Sequence, residues 1–516
     1  MSEVRTPTPI IDAPSLGELL QAGRGVAEHR PWPRAVVDTD TWTLAAECLT
    51  QGGVTLLGLW GEADSVHMAL FDEPGGAIGV LSLACPDRQF PSVGELHAPA
   101  IRLERAIQDL FGLEAIGLPD ARPWFDHGRW GFRHPLGNAE RIAPGAPRYP
   151  FLPVEGEHLH RIPVGPVHAG IIEPGHFRFT ASGETIVRLE ERLGYVHKGI
   201  EGLMAGADLA RGAELAGRVS GDSTVAYAFA FARAAEAALQ VEVPHRAQWL
   251  RALMAELERL ANHFGDIGAI CNDAAFSLLH AHCSVLREQV LRTADRCFGH
   301  RLMRDLIVPG GVAHDLDPDG AAAITTLVAE ARRRFPHLVD LYDNTASLQD
   351  RTVGTGILKP QLARRFGAGG FVGRASGRAF DARRAPGYPP YDQLEFQVPG
   401  LDAGDVDARV WIRIHEVEQS LTIVEQILAR LPAGPLREEV PAPHSAHEGI
   451  ALVEGFRGDV IVWLRLAAGG RIGRCHLRDP SWFQWPLLEV AIEGNIVADF
   501  PLCNKSFNCS YSGHDL

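Results

Sequence analysis

The chain has 516 residues, of which 46% are apolar and 22% charged, a composition typical of a globular protein with more than one domain. Its formal net charge of -15 argues against binding to nucleic acid, which requires a basic surface. The 8 cysteines include no CxxC pair, so we expect neither a disulfide framework nor a self-contained iron–sulfur or zinc site.

The N-terminal part of the chain, 1–130, is predicted to be a small α/β domain. Short apolar runs at Val54–Trp60 and Gly79–Cys85 are typical of strands, and Thr41–Gln51 and Arg102–Phe111 are typical of helices. From residue 131 the composition shifts to Pro, Gly and Arg, which favours a linker over residues 131–158. We therefore place one domain at 1–130 and a second at 159–516.

The second domain is predicted to be mainly helical. A hairpin opens it, with strands His176–Thr180 and Thr185–Leu189. Five long segments then carry apolar residues at helical spacing: Ser223–Leu239, Arg246–Asn262, Leu279–Phe298, Gly320–Tyr342 and Asp407–Leu431. The fold class is thus α+β, a small α/β domain followed by a helical bundle with small β attachments. No segment has the roughly 20 uninterrupted apolar residues of a transmembrane helix, so we expect membrane contact through partner subunits.

A charged helix in the first domain carries the first resemblance. Residues 102–113 (RLERAIQDLFGL), followed by 117–124 (GLPDARPW), resemble the signature of the small hydrophilic subunit family of respiratory complex I, the thirty-kilodalton family. The resemblance implies a docking role rather than a catalytic one. For this segment alone, a solvated charged helix is the competing interpretation.

The second domain carries a longer series of motifs. They lie in order at 165–170, 174–178, 193–201, 249–263, 309–312, 351–356, 374–381 and 476–481. Together they resemble the larger hydrophilic subunit of complex I, the forty-nine-kilodalton subunit, and the large subunits of membrane-bound nickel–iron hydrogenases. The fusion of both families in one chain is similar to the large subunit of formate hydrogenlyase type. This resemblance implies a fold like that of the hydrogenase large subunit.

The resemblance also locates the positions of the metal ligands. In the hydrogenases two CxxC pairs supply four thiolates to nickel and iron, and here Ser220 and Ser223 stand at the first pair and Cys509 and Ser512 at the second. A serine hydroxyl stays protonated near neutral pH and is a hard, weak ligand for nickel. We therefore predict no metal at this site, and active hydrogenase chemistry is the least favoured function.

A quinone site is the next interpretation that the resemblance offers. In complex I a histidine and a tyrosine hold the quinone head group; His168 matches the histidine, but Gly221 stands at the tyrosine position. Glu201 matches a glutamate near the metal of the hydrogenases, and burial is expected to raise its pKa toward neutrality.

We predict His168 and Glu201 as proton-handling groups; the predicted cavity is lined by His168, Arg218, Ser220, Asp222, Ser223, Cys509 and Ser512. A structural loop histidine and a helix-surface carboxylate are the alternatives for His168 and Glu201. Arg218, Arg351, Arg374 and Asp381 are expected to form buried ion pairs.

The predicted function is that of an oxidoreductase subunit in a complex I-like or hydrogenase-like membrane assembly. It would pass electrons from an iron–sulfur cluster in a small partner, similar to the twenty-kilodalton subunit of complex I, to a quinone or an unknown acceptor. Antiporter-like membrane subunits would couple this step to ion translocation, at the cytoplasmic face of the inner membrane. The chain itself would bind no cofactor, a quinone aside, and any NADH link would be made by another subunit. The alternative is a structural subunit that has kept the fold and lost the redox site.

Overall fold

A computed structural model describes residues 14–142, 145, 149–169 and 172–516. Contacts between Cα atoms divide the chain into two compact units. Unit 1 comprises residues 1–27, 32–123 and 129–145, and unit 2 comprises residues 28–31, 124–128 and 146–516. The predicted boundary at residue 130 and the predicted linker over 131–158 do not coincide with this division.

Unit 1 contains a five-stranded sheet with helices. The strands, in their spatial order, are Arg24–Gly25, Arg34–Val37, Ala77–Ala84, Ser65–Asp72 and Thr55–Gly61. The helices are Leu16–Gln21, Thr39–Gln51 and Ile101–Phe111, with a single 3-10 turn at Ala98–Ala100. Two small sheets pair Gln89–Pro91 with Glu114–Ile116, and Phe132–Arg133 with Glu140–Arg141. The central strands are buried on both faces, which is why they are almost uninterrupted apolar runs.

The charged helix of unit 1 is not solvated. The carboxylate of Glu104 is fully buried and accepts hydrogen bonds from Ser92 Oγ at 2.7 Å and from the Val93 N–H at 2.6 Å. Arg105 is also buried and forms an ion pair with Asp120 at 3.0 Å. These two side chains of the motif therefore hold unit 1 together, and the interpretation of a solvated helix is wrong for them.

Unit 2 is built around five long helices. We label them α1 (Thr224–Leu239), α2 (His245–Asp273), α3 (Ser277–Phe298), α4 (Pro318–Asp343) and α5 (Val406–Arg430). Helix α2 packs against α3 and α5, and α3 packs against α4. All five were predicted from apolar periodicity, although α2 continues well beyond the predicted end at Asn262. Within the described residues, no helix combines the length and the apolar character required to cross a bilayer.

Sheets and short helices surround this bundle. One antiparallel sheet comprises Leu159–Val164, His176–Ser182 and Thr185–Arg192. A second has the order Ile472–Arg478, Gly458–Leu466, His447–Gly455 and His29–Arg30, and α1 lies against it. A third pairs Ile307–Val308 with Gly311–Val312. The short helices are Ile200–Met204, Leu209–Ala216, Ala346–Thr352, Pro360–Arg365, Gly370–Arg374, Ser481–Ala491, Phe500–Phe507 and Tyr511–Asp515, with single turns at Arg383–Gly387, Tyr391–Gln393 and Val497–Asp499.

Candidate functional site

Two distant segments meet where the resemblance places the metal ligands. Ser220 and Ser223 directly precede α1, and both side chains are buried. The Ser220 hydroxyl donates to Asp222 Oδ1 at 2.7 Å, and its oxygen lies 3.1 Å from Ser510 Oγ, in the C-terminal segment. The structure thus brings the 220–223 segment into contact with the 508–512 segment. We call Ser220, Asp222, Ser223, Cys509 and Ser512 the serine–cysteine site.

A buried arginine links these two segments. Arg457 donates from Nη1 to Asp222 Oδ1 at 2.8 Å and to Ser223 Oγ at 3.2 Å, and from Nε to the carbonyl of Asn508. Burial raises the pKa of Asp222, but the charge of Arg457 and its hydrogen bonds outweigh burial and lower that pKa to about 2. Asp222 is therefore a carboxylate that balances a cation inside the site.

The donors at this site do not fit a nickel–iron centre. Burial raises the pKa of the Cys509 thiol well above its ordinary value, and the side chain is only 4% exposed. The hydroxyls of Ser220 and Ser223 are already hydrogen-bonded to Asp222. The resemblance implies four thiolates as the ligands of such a centre, and one thiol beside three hydroxyls is a poor substitute. Among the described residues, no three His, Cys, Asp or Glu side chains are grouped so that they could hold a metal ion.

His168 lies in the loop that precedes the strand His176–Ser182. Its Nε2 is 2.7 Å from the carbonyl oxygen of Gly175. A carbonyl can only accept a hydrogen bond, so Nε2 carries the proton and Nδ1 of the neutral ring remains an acceptor. The imidazole is half-buried and packs near Phe177. This geometry holds the ring in one orientation and leaves Nδ1 as the atom that can exchange a proton.

Glu201 is buried in an ion pair, so the alternative of a helix-surface carboxylate is wrong. Oε2 lies 2.9 Å from Nη2 of Arg474, and Oε1 accepts from Nδ1 of His476 at 2.8 Å and from the Leu477 N–H at 3.1 Å. Burial raises the pKa of Glu201, but the charge of Arg474 and the bond from His476 lower it to about 2. The expected rise of this pKa is therefore wrong, because a guanidinium partner outweighs the loss of water.

The predicted arginines divide into two groups. Arg374 is fully buried and pairs with Glu416 at 2.7 Å, Glu454 at 2.9 Å and Asp381 at 3.5 Å, as expected. Arg218 instead forms an ion pair with Asp305, with both side chains more than one third exposed. Arg351 pairs with Asp499 and is 36% exposed. The expectation of buried pairs is wrong for Arg218 and Arg351, because each of these side chains is more than one third exposed.

Several residues of the site gave no signal in the sequence. Arg457 lies in the tight turn between the strands His447–Gly455 and Gly458–Leu466, where no periodicity marks it. Asp479 accepts a hydrogen bond from the buried Tyr227 hydroxyl at 2.7 Å and from the Ser481 N–H at 2.8 Å. Ser481 Oγ in turn accepts from the Ser510 N–H at 2.8 Å. The only cue was the motif at 476–481, which contains Asp479 and Ser481.

Comparison with known proteins places both parts of the chain. Residues 66–143 match the family model of the respiratory-chain NADH dehydrogenase 30 Kd subunit, and residues 274–447 match that of the 49 Kd subunit. Formate hydrogenlyase subunit 5 of Escherichia coli (strain K12) is 34% identical over 83% of this chain and 77% of that protein. An NADH-quinone oxidoreductase subunit of Desulfotalea psychrophila is 31% identical over 65% of this chain and 91% of that protein. These matches confirm the resemblance inferred from the motifs.

A solved structure confirms the fold class. A chain of the membrane-bound sulfane sulfur reductase, an archaeal respiratory membrane complex, superposes with a TM-score of 0.66 and 25% sequence identity. The match covers 71% of this chain and 100% of the other. The α+β architecture with a helical bundle is therefore shared with a respiratory membrane complex.

Proposed function

We infer the function from one premise: the chain belongs to the family that contains the large subunits of complex I-like and hydrogenase-like membrane complexes. We propose that it receives electrons from an iron–sulfur cluster in a small partner subunit, similar to the twenty-kilodalton subunit of complex I. It then passes them to a quinone or another acceptor. We further propose that antiporter-like membrane subunits couple this transfer to ion translocation, and that the chain lies at the cytoplasmic face of the membrane.

One observation carries this proposal: the Arg457–Asp222 ion pair lies among the former ligand positions. With three hydroxyls and one thiol, the site offers at most one soft donor for nickel. Hydrogen chemistry at that metal is therefore not part of the proposal. Electron transfer through the partner's cluster needs no metal bound by this chain.

The predicted proton-handling residues receive different roles. We assign proton exchange to His168, because the hydrogen bond from Nε2 to the Gly175 carbonyl leaves Nδ1 as an acceptor that can take up a proton. Glu201 stays ionised beside Arg474 and fixes the orientation of His476. We therefore give Glu201 a positioning role.

The names of the relatives suggest three acceptors. NADH-quinone oxidoreductase subunits imply a quinone, the sulfane sulfur reductase implies a sulfur compound, and the hydrogenases imply protons. We place the quinone first because His168 matches the quinone-binding histidine of complex I. The sulfur compound is the second acceptor to be tested, and protons are the third.

The experiment purifies the tagged full-length chain with its native partners and measures metals, subunits and turnover. We expect iron in stoichiometric amount only when the small cluster-bearing subunit is present, and no nickel in either preparation. With dithionite as donor, the complex should reduce a short-chain quinone and should evolve no hydrogen. Stoichiometric nickel in the isolated chain would contradict the proposal, as would hydrogen evolution that depends on Cys509.

A gain-of-function variant tests the coordination argument directly. Ser220→Cys, Ser223→Cys and Ser512→Cys together restore four cysteines with Cys509. We expect this variant to retain Ni²⁺ after gel filtration with thiolate-to-metal absorption bands, whereas the wild type retains none. A control with cysteines at the exposed Ser347 and Ser445 should also retain none. Equal retention by variant and control would show that the four positions do not converge.

A structural subunit without redox function is the second candidate. The hydrogen bond that holds His168 to Gly175 and the ion pair that holds Glu201 favour it, since both are fixed structural contacts. His168→Gln separates the candidates, because glutamine can keep a bond to the Gly175 carbonyl but cannot transfer a proton near pH 7. Assembly with lost quinone turnover supports the redox subunit; assembly with unchanged turnover supports the structural one.

A further inference from the structure

A small cavity lies beside the serine–cysteine site. Its volume is about 150 Å³, and it lies between α2, α3 and the loop that ends at Met303. Buried apolar side chains form most of its wall, among them Leu257, Val290, Leu291 and Met303, and two exposed arginines, Arg287 and Arg301, also line it. An apolar cavity of roughly this volume can hold one six-membered carbon ring. The cavity is therefore the size of a single ring.

The polar end of the cavity is formed by Gly221, Asp222, Glu258 and Asn262. Gly221 is exposed, and a Cβ atom built at this position would meet no atom within 4 Å. A side chain at residue 221 would thus extend into open space. This space lies directly beside the candidate site and no side chain of the protein fills it, so it is available to a ligand.

The polar end offers acceptors of hydrogen bonds. Asn262 already donates from its amide nitrogen to the carbonyls of Asp222 and Glu258, at 2.8 and 2.9 Å, which leaves its side-chain oxygen as an acceptor. Oδ1 of Asp222 already accepts from Ser220, Ser223 and Arg457, whereas Oδ2 accepts from Arg457 and keeps a lone pair. A ligand with a hydrogen-bond donor can satisfy these acceptors, and an apolar ring suits the wall formed by Leu257, Val290, Leu291 and Met303.

We propose that this cavity is a binding site for a ring-sized molecule that carries a hydrogen-bond donor, of which a phenol is the simplest chemical form. The ring packs between α2 and α3, and the hydroxyl points to Asp222 and Asn262. The site goes beyond the proposed electron-transfer function, and its occupancy is measured by binding rather than by turnover.

The test is a ligand-observed NMR titration of the purified full-length chain with p-cresol and toluene. These two probes share the ring and the methyl group, and only p-cresol carries a donor. We expect p-cresol to bind about tenfold more tightly than toluene, the effect of one hydrogen bond in a buried site. Equal affinity for both probes would overturn the donor requirement, and a wild type that binds neither would overturn the site.

Two substitutions locate the binding from opposite sides. Gly221→Tyr adds a ring at a residue that lines the cavity, and Ala261→Leu adds bulk to its wall on α2; each should weaken p-cresol binding about tenfold or more. Gly221→Ala adds one methyl group and leaves most of the space, so it serves as the matched control and should bind as the wild type does. Circular dichroism verifies that each variant is folded. Binding that survives in both folded, filled variants would overturn the proposal.

Discussion

Two buried glutamates in unit 2 have opposite electrostatic surroundings. Glu201 faces Arg474 and His476, and its pKa falls to about 2. Glu258, on α2, accepts hydrogen bonds from the backbone N–H groups of Val225 at 2.7 Å and Ala226 at 3.1 Å. Burial raises the pKa of Glu258 to about 8 because these amides, with a more distant Arg259, do not outweigh the lost water, and Asp222 adds a like charge.

This difference shows what decides whether a buried acid is charged. Both side chains are less than one tenth exposed, so burial alone does not separate them. A guanidinium within hydrogen-bond distance stabilises the carboxylate, whereas two peptide dipoles do not. The protonated acid beside the site is therefore Glu258, whereas the sequence had pointed to Glu201.

The largest expected effect is on the pH dependence of stability at Glu258. Its folded pKa lies above the unfolded value of 4.5, so its contribution is complete below pH 4.5 and is lost as the pH rises through about 8. The unfolding free energy lost over this pH range is about 4–5 kcal/mol, and Glu258→Gln should abolish that loss. Urea unfolding at a series of pH values measures it. The control variant Glu214→Gln removes an exposed carboxyl. If the unfolding free energy changes with pH equally in both variants, Glu258 is ionised in the folded state.

Removing the cation beside Glu201 is expected to have the next largest effect. Arg474→Met leaves Glu201 as a buried carboxylate with a weaker partner, which should cost about 4 kcal/mol of unfolding free energy at pH 7. The double variant Arg474→Met/Glu201→Leu should recover much of this loss, because it removes the charge as well. If the double variant is no more stable than the single one, the ion pair does not explain the effect.

Glu201 itself should make the stability depend on pH in the direction opposite to Glu258. The folded pKa of Glu201 lies below 4.5, so its contribution is present above pH 4.5 and is lost as the pH falls through about 2. Glu201→Gln should cost about 3 kcal/mol at pH 7, and the difference from the wild type should shrink steadily toward pH 2. Denaturant midpoints at acid and neutral pH measure this change. A constant difference across the range would argue for lost packing instead of lost charge.

The smallest expected effect concerns the serine–cysteine site. Ser220→Ala removes the donor to Asp222 and the contact with Ser510, and should cost about 1 kcal/mol, the value of one hydrogen bond. Arg457 still balances Asp222, so the site should keep its geometry. Thermal unfolding of the variant, with Ser347→Ala as an exposed control, measures the cost. A loss of several kcal/mol would mean that the hydroxyl holds the two segments together.

The sequence by itself determined the helical bundle and the identity of the residues at the predicted ligand positions. Helices α1 to α5 follow from apolar periodicity, which is a local property, and the replacement of cysteines by Ser220, Ser223 and Ser512 can be read directly from the motifs. The four-stranded sheet that includes residues 447–478 was not predicted, since its pairing joins strands from both ends of the chain.

Only the tertiary structure decided the charge states and the cavity. Glu201 meets His476 across 275 residues of sequence, and Asp222 meets Arg457 across 235. A carboxyl group's pKa depends on the partners and the water within a few ångströms. The cavity beside Gly221 likewise results from the packing of α2, α3 and the Met303 loop. Neither property belongs to a residue or its sequence neighbours, so both emerge only when distant segments come together.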